Sequence, residues 1–462
     1  ELVTGSAPFE GSTVSDFADQ HCSRQLPLLR PLFPVPPGLD SWLHALLRKR
    51  PSQRIQRAAD ARQLLEALPS IRRSRAPPLL PGVATIGAST AVSARDTPGS
   101  TPFRPSWTGH LPATWAQTSL SVAPRLHGAG LGLFGLRQPP LVGREHERTL
   151  LWEAMRRVTA TRMCELVVLL GGAGIGKTRL ARWMTERLHE VGAAQVLHVV
   201  HGPRRGPRDG LVPMVESTLR CGGLNPNAVA GRAAALQPRA SSEHVANVVQ
   251  LLRPDNDQGR RSRDATGERE RALTLRVVTD FVAQLCAERP VVLWIDDVQW
   301  GEQALELAQT MQRMPIPVLV ILTAREEALT ENMASSLDTM PTLHLQALDS
   351  SRAHRLVGDL LGLSPSLAQE VERRTSGNPQ FAVQLVGDWV DRDLLHVTDE
   401  GFELRPGADP RIPDALNDLW AARVDRLVPQ EYHRALTLAA VLGQRVDHQE
   451  WLAVCHVVSV PV

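Results

Sequence analysis

Five short apolar runs mark the chain: Leu166–Leu170, Val196–Val200, Val291–Ile295, Ile316–Leu322 and Leu343–Leu345. Each is too short for a buried helix and carries β-branched residues or leucine without polar alternation. That pattern reads as strands covered on both faces of a parallel sheet. Helical spacing appears between them, in Leu150, Leu151 and Met155, in Leu180, Trp183, Met184 and Leu188, and over Leu211–Leu219 and Ala272–Cys286. The expected fold class is α/β, a five-stranded sheet inside a three-layer α/β/α sandwich. Before it, Asp40 opens a helix with Trp42, Leu43, Leu46 and Leu47 on one face. Pro51 breaks that helix, and a second follows with Ala58, Ala61, Leu64, Leu65 and Leu68. After the sheet the pattern predicts helices over Ser351–Leu361 and Leu367–Arg374 and another opened by Ser376-Gly-Asn-Pro-Gln380. Two short strands (Leu394–Val397, Gly401–Leu404) and a helical end through Leu416, Leu419, Leu427 and Leu436 complete the chain.

The first apolar run feeds directly into Gly171, Gly172, Ala173, Gly174, Ile175, Gly176, Lys177, Thr178 and Arg179, which fit G-x-x-x-x-G-K-[ST] in the strand-then-helix context the motif requires. Glycines let successive backbone N–H groups curl inward, and a helix N-terminus adds its partial positive charge, so the turn is built to cradle phosphate. The Lys177 ammonium is expected to reach the β- and γ-phosphates of ATP, and the Thr178 hydroxyl to ligate Mg²⁺. Lys177 and Lys49 are the only lysines in a chain that otherwise uses arginine, so an ammonium stands where a planar guanidinium fits poorly.

The third run ends in Asp296 and Asp297, at the edge of a parallel sheet where such folds bind ligands. Asp296 suits the metal side, and Asp297 suits orienting the attacking water. The fourth run ends in Thr323-Ala-Arg325. Arg325 is expected to sense the γ-phosphate through a charge-assisted bond, or else to pair on the surface with Glu326 or Glu327. Gly377 and Pro379 make a rigid turn that either packs against an adenine base or merely links helices. The mixed-sign stretch Arg253–Arg271 reads as solvated loop, and His198 and His201 as ordinary histidines rather than a metal pair.

Composition narrows the setting. A net charge of +2 gives no global field for nucleic acid or an anionic membrane. The apolar runs are far shorter than a membrane span. Five scattered cysteines without a C-x-x-C pair read as reduced, buried thiols, which suggests a cytoplasmic location. The chain opens on Glu1 without a leader and reads as a piece of a longer product. Residues 70–139 are rich in Pro, Ser, Thr, Ala and Gly and read as a flexible linker, whose Trp107 and Trp115 are placed to dock on a partner.

Taken in order, Val142-Gly143-Arg144, the Gly171–Thr178 loop, Ile295-Asp296-Asp297, Thr323-x-Arg325 and Gly377-Asn378-Pro379 resemble the STAND class of AAA+-related P-loop ATPases. That resemblance implies an ATPase domain over 140–348 and a helical lid over 349–411. A winged-helix-like region, cut short, would follow over 412–462. It also implies that Val142, Gly143, Arg144, Gly377 and Pro379 contact ATP or ADP, and that ATP exchange frees surfaces for self-oligomers or protein partners. Residues 1–69, with Glu1-Leu-Val-Thr-Gly-Ser-Ala-Pro-Phe-Glu-Gly11 and Leu47-Arg-Lys-Arg-Pro-Ser-Gln-Arg54, resemble the last third of a bacterial serine/threonine protein kinase C-lobe. The residues that carry kinase chemistry are not in this sequence. The implied role is a slowly hydrolysing switch beside an upstream kinase domain or its substrates. Two alternatives stand beside it: a nucleotide-bound scaffold without turnover, and a DNA-acting initiator-type AAA+ ATPase. Near-neutral charge and the mixed signs of Arg423, Asp425 and Arg426 speak against the second.

Overall fold

In a computed structural model the chain divides into two units, Glu1–Thr108 and Gly109–Val462. The described residues lie mainly in 13–69, 111–118 and 141–462. Residues 70–110, 119–140, 203–209, 255–262, 411–415 and 443–445 fall outside them, with residue 409, scattered positions before residue 71 and the side chains of 263–269. Trp107, and most of the stretch read as linker, therefore lie outside the described residues.

The first unit holds helices α1 (Val14–Cys22), α2 (Leu39–Leu46) and α3 (Ala58–Glu66). Thr13 and Asp16 close a reciprocal cap on α1, each side chain taking the other's backbone N–H. Helix α2 starts one residue before Asp40 and after Gly38, whose φ of +92° suits glycine. Trp42 donates its indole N–H to Ala61 O at 2.8 Å, tying α2 to α3. The expected apolar face of α3 is rotated: Ala59 and Asp60 are buried while Leu65 is exposed. Phe9, Ala45 and Ala59 are the unit's buried apolar residues among those described, so burial here is too sparse to select the leucine face.

In the second unit the five apolar runs become β1 (Glu165–Gly171), β2 (Gln195–Val200), β3 (Val291–Asp296), β4 (Val318–Arg325) and β5 (Thr342–His344). They pair in parallel in the order β2-β3-β4-β1-β5. Alternate strand residues enter different cores, as a two-residue period requires. Leu166, Val168 and Leu170 join Leu293 and Val320 on one face, whereas Val167 and Leu169 join Trp294 and Ile321 on the other. The second face is covered by α4 (Glu145–Thr161) and α5 (Lys177–Glu190). The first is covered by α6 (Leu211–Leu219), α7 (Pro226–Leu236), α8 (Ser242–Leu252), α9 (Arg263–Cys286), α10 (Glu302–Gln312) and α11 (Glu331–Asp338). The three-layer expectation holds, although α7, α8, α10 and α11 go beyond the helices read from the pattern. Among the described residues no helix is long and apolar enough to cross a membrane.

Beyond β5, α12 (Ser350–His354) runs into a π-helical stretch, Arg355–Leu360, and then come α13 (Pro365–Thr375), α14 (Pro379–Asp391) and the antiparallel hairpin β6 (Leu395–Thr398) and β7 (Gly401–Leu404). These share a third core with Phe381, Leu385 and Trp389 at its centre. Helices α15 (Leu416–Leu427), α16 (His433–Val441) and α17 (His448–Val457) end the chain, with a small core of Ala435, Cys455 and Val460. Two expectations change. Trp115, read as a partner-docking residue in a linker, packs edge-on against Trp183 of the same chain, while Pro112 O accepts the Trp152 indole N–H. Of the five thiols read as buried, Cys22 is exposed and Cys164 only half-buried. Burial pushes the Cys164 and Cys286 thiols up to about 12.

Candidate functional site

The sheet order places β4 between β1 and β3, so three chemical segments end side by side. Gly171 is in register with Arg325, and Leu169 with Thr323. The glycine-rich turn links β1 to α5, whose first residue is Lys177 behind the Gly176 cap at φ +104°. Lys177 Nζ donates to Gly171 O and Gly172 O, both at 2.7 Å, which holds the loop curled around the ammonium. Burial lowers the Lys177 pKa, and the nearby Asp297 carboxylate opposes that shift. Gly174 has φ +76°, and a Cβ there would lie 2.6 Å from Asn378 Oδ1, so only glycine fits this close approach.

Opposite the loop, Asp296 is buried and its Oδ1 accepts two hydroxyl hydrogens, from Thr178 at 3.0 Å and from Thr323 at 2.6 Å. Burial raises the Asp296 pKa, against the lowering pull of those two hydroxyls. A threonine hydroxyl beside a carboxylate, next to a cationic loop, is the oxygen set a hard divalent cation takes, so Thr178 and Asp296 fit the expected Mg²⁺ seat. Thr323 also accepts the Asp297 N–H at 2.9 Å, which locks the turn after β3. Asp297 sits there at φ +54°, a left-handed conformation rare for a residue other than glycine.

Arg325 does not take the surface alternative of pairing with Glu326 or Glu327. Its Nε and Nη2 grip Asp297 Oδ1 and Oδ2 at 3.2 and 3.0 Å. Glu326 instead pairs with His344 at 3.4 Å, and Glu327 Oε1 accepts the N–H of Ala173 in the phosphate loop at 3.0 Å. The reason is local: Asp297 is buried beside the β4 end, and a bidentate guanidinium is the partner that satisfies both of its oxygens. The pair belongs to a closed ring, because Gln299 Nε2 donates to Asp297 Oδ1 at 3.1 Å while its Oε1 accepts the Arg325 N–H at 3.3 Å.

The remaining predicted contacts divide. Arg144 is buried at φ +64°, pairs with Glu147, and donates to Ile175 O of the loop and to Gln346 O beyond β5. It braces the loop. Val142 packs into the core of the C-terminal helices, and Gly143 at φ +65° abuts Arg352. Pro379 opens α14 and faces the site, whereas Gly377 at φ +73° packs against the Leu348 backbone. Asn378 caps α14 and donates Nδ2 to Ala173 O at 3.0 Å. Arg179 lines the site and is half-buried, which lowers its pKa. Of these, Val142, Arg144, Arg179 and Pro379 line, with Lys177, Thr178, Asp296, Asp297 and Arg325, a cavity of about 710 Å³. One end is the charged loop; the other is apolar, with Leu348, Leu356, Val383 and Leu416. His198 stacks on Trp294 at 3.7 Å, and among the described residues no cluster of three or more His, Cys, Asp and Glu is placed to hold a metal.

Sequence reading missed Gln299, Asn378 and Glu327 as site residues. Asn378 lay inside the Gly377-Asn378-Pro379 turn and Glu327 was named beside Arg325, so their positions were available. Their contacts were not, because Asn378 and Ala173 are 205 residues apart and Glu327 and Ala173 are 154 apart.

Among solved structures, similarity extends to the Aeropyrum pernix ORC2 protein in ADPNP–ADP complexes, at 15% identity and a TM-score of 0.35. It covers 55% of this chain and 64% of that one. Domain III of the Thermotoga maritima replication initiation protein DnaA is 12% identical with a TM-score of 0.31, covering 55% and 86%. The FIGL-1 AAA domain in complex with ADP is 13% identical with a TM-score of 0.29, covering 62% and 88%. Among curated proteins none matches the chain. Residues 140–321, which build the sheet as far as β4 together with the phosphate loop and the paired aspartates, match the model of the AAA ATPase domain family.

Proposed function

We propose that this ATPase domain works as an ATP- and Mg²⁺-binding, slowly hydrolysing switch of the STAND type, in a larger serine/threonine kinase–ATPase signalling protein. The observation that carries the reading is the meeting of Lys177, Thr178, Asp296, Asp297 and Arg325 on one cavity beside a ring of lid residues. Lys177 and the loop N–H groups bind the phosphates, and the apolar end takes the base against Pro379 and Val383. Thr178 and Asp296 hold Mg²⁺, which when bound neutralises phosphate charge. Asp297 orients the attacking water. Its grip by Arg325 supports slow turnover, since the same guanidinium donors suit a terminal phosphate and cannot serve both partners at full strength. The lid and α15 contribute to the cavity wall, which supports a coupling between nucleotide state and the C-terminal helices. The order of a kinase-like segment ahead of the ATPase supports the signalling context.

Titration calorimetry and phosphate release test the reading together. Lys177→Ala is expected to weaken ATP binding by about a hundredfold or more, the scale of losing one partner of a desolvated charge pair. Asp297→Asn is expected to keep ATP affinity and slow hydrolysis about a hundredfold, the lower range for a positioned acid–base group. Unchanged ATP affinity in a folded Lys177→Ala protein rules the reading out. Unchanged phosphate release in Asp297→Asn removes Asp297 from its role.

A further inference from the structure

We infer that Glu327 tunes the choice between nucleoside di- and triphosphate by holding a carboxylate against the phosphate loop; this rests on the nucleotide-binding reading above. Glu327 lies in the 3-10 turn Glu326–Ala328, directly after β4. Its Oε1 accepts the Ala173 N–H at 3.0 Å, across 154 residues of sequence, so the contact comes from the fold and not from neighbouring chain. Ala173 is held on its other side too, where its carbonyl accepts from Asn378. Glu327 is near enough to Lys177 and Arg325 for its charge to act on both of the cations that face the site.

A carboxylate and a phosphate are competing anions for the same small set of donors. The loop offers N–H groups, Lys177 offers one ammonium, and Arg325 is already engaged by Asp297. Glu326, its neighbour, is spent on His344, which leaves Glu327 as the acid of this turn directed at the loop. A diphosphate brings less charge to this edge than a triphosphate does. The repulsion from Glu327, or the cost of swinging it away, therefore falls mainly on the triphosphate. The residue biases the resting site toward the diphosphate without touching the base or the metal seat.

Glu327→Gln separates charge from shape, because the amide oxygen can still accept the Ala173 N–H. Affinities for ADP and for ADPNP, each with Mg²⁺, are measured by calorimetry on the whole chain at low and at high salt. The ratio of triphosphate to diphosphate affinity is expected to rise by about three- to tenfold, the scale of one unit charge across a few ångströms of wet surface, and to shrink as salt screens it. An unfolding midpoint matching wild type separates this from a structural effect. Equal changes for both nucleotides, or none, overturn the inference while leaving the site reading intact. If wild type binds neither nucleotide, the site reading itself falls.

Discussion

On the proposed reading Asp297 orients a water molecule, which requires its oxygens to be aimed, and two partners hold them. Arg325 takes both oxygens from one side, and Gln299 takes Oδ1 from the other while accepting the Arg325 N–H. Gln299 is itself buried, so replacing it leaves donors and acceptors that water reaches poorly. Gln299→Met keeps the volume and deletes both bonds. Its expected effect is a fall in kcat of about tenfold with KM within twofold, since the loss is one of orientation and not of nucleotide contact. Gln299→Glu retains the acceptor for Arg325 and adds a like charge beside Asp297, so it should not restore the rate. Steady-state phosphate release reports both, and a Gln299→Met protein with wild-type kcat removes the positioning role. At this scale the sequence was legible where chemistry is local. Lys177 and Thr178 were readable because a strand, a glycine turn and a helix N-terminus are contiguous, and Asp296 because it closes an apolar run. The Arg325–Asp297 pair was not, because it depends on β4 lying beside β3, which no spacing in the chain reveals.

Elements position these residues, and one helix terminus reaches across the site. Asn378 accepts the N–H groups of Gln380 and Phe381 at 3.1 Å each, capping α14, and its amide donates to Ala173 O. Gln380 N–H adds a bond to Gly174 O at 3.3 Å. One residue therefore both starts α14 and docks it on the phosphate loop. Asn378→Ala removes both functions and is expected to cost about 1 kcal/mol as a lost cap. Asn378→Asp keeps the cap but turns a carboxylate oxygen toward the Ala173 carbonyl. Both variants are expected to release a fluorescent ADP analogue several-fold faster in stopped flow, and only the alanine variant to melt earlier. Release at the wild-type rate from Asn378→Asp would mean that the docking bond does not hold α14 on the loop. The five strands were legible as apolar runs because a sheet covered on both faces has no polar alternation to hide them. Helices α7 and α8 were not. Only Val229 and Ala233 of α7 are fully buried among its apolar residues, so tertiary packing and the Asn225 and Ser241 caps supply what periodicity lacks.

Across the second unit, α15 belongs to two structures at once. Leu419 is buried in the core shared with α13 and α14, while Asn417 and Trp420 line the cavity beside the phosphate loop. Ion pairs fix the helix in that position. Asp388 of α14 is 3% exposed and accepts Arg426 at 2.7 Å and Arg392 at 3.2 Å, and Arg423 pairs with Asp391 at 2.5 Å. A buried carboxylate between two guanidinium groups is costly to remove, because the two cations then face each other with no counter-charge. Asp388→Ala is expected to destabilise this unit by about 3–5 kcal/mol. At about 2–4 °C per kcal/mol for domains of this size, that lowers its melting temperature by about 6–20 °C. The same pairs hold Trp420 at the cavity wall, so nucleotide binding should change indole fluorescence. The chain has 10 tryptophans, so Trp420→Phe is the control that assigns the change. If Trp420→Phe keeps the whole nucleotide-dependent signal, α15 does not sense the site and the C-terminal helices are not coupled to it through this wall. If the signal disappears in Trp420→Phe and weakens in Arg426→Met at a temperature where that variant is folded, the ion pairs on α14 carry nucleotide state to the end of the chain.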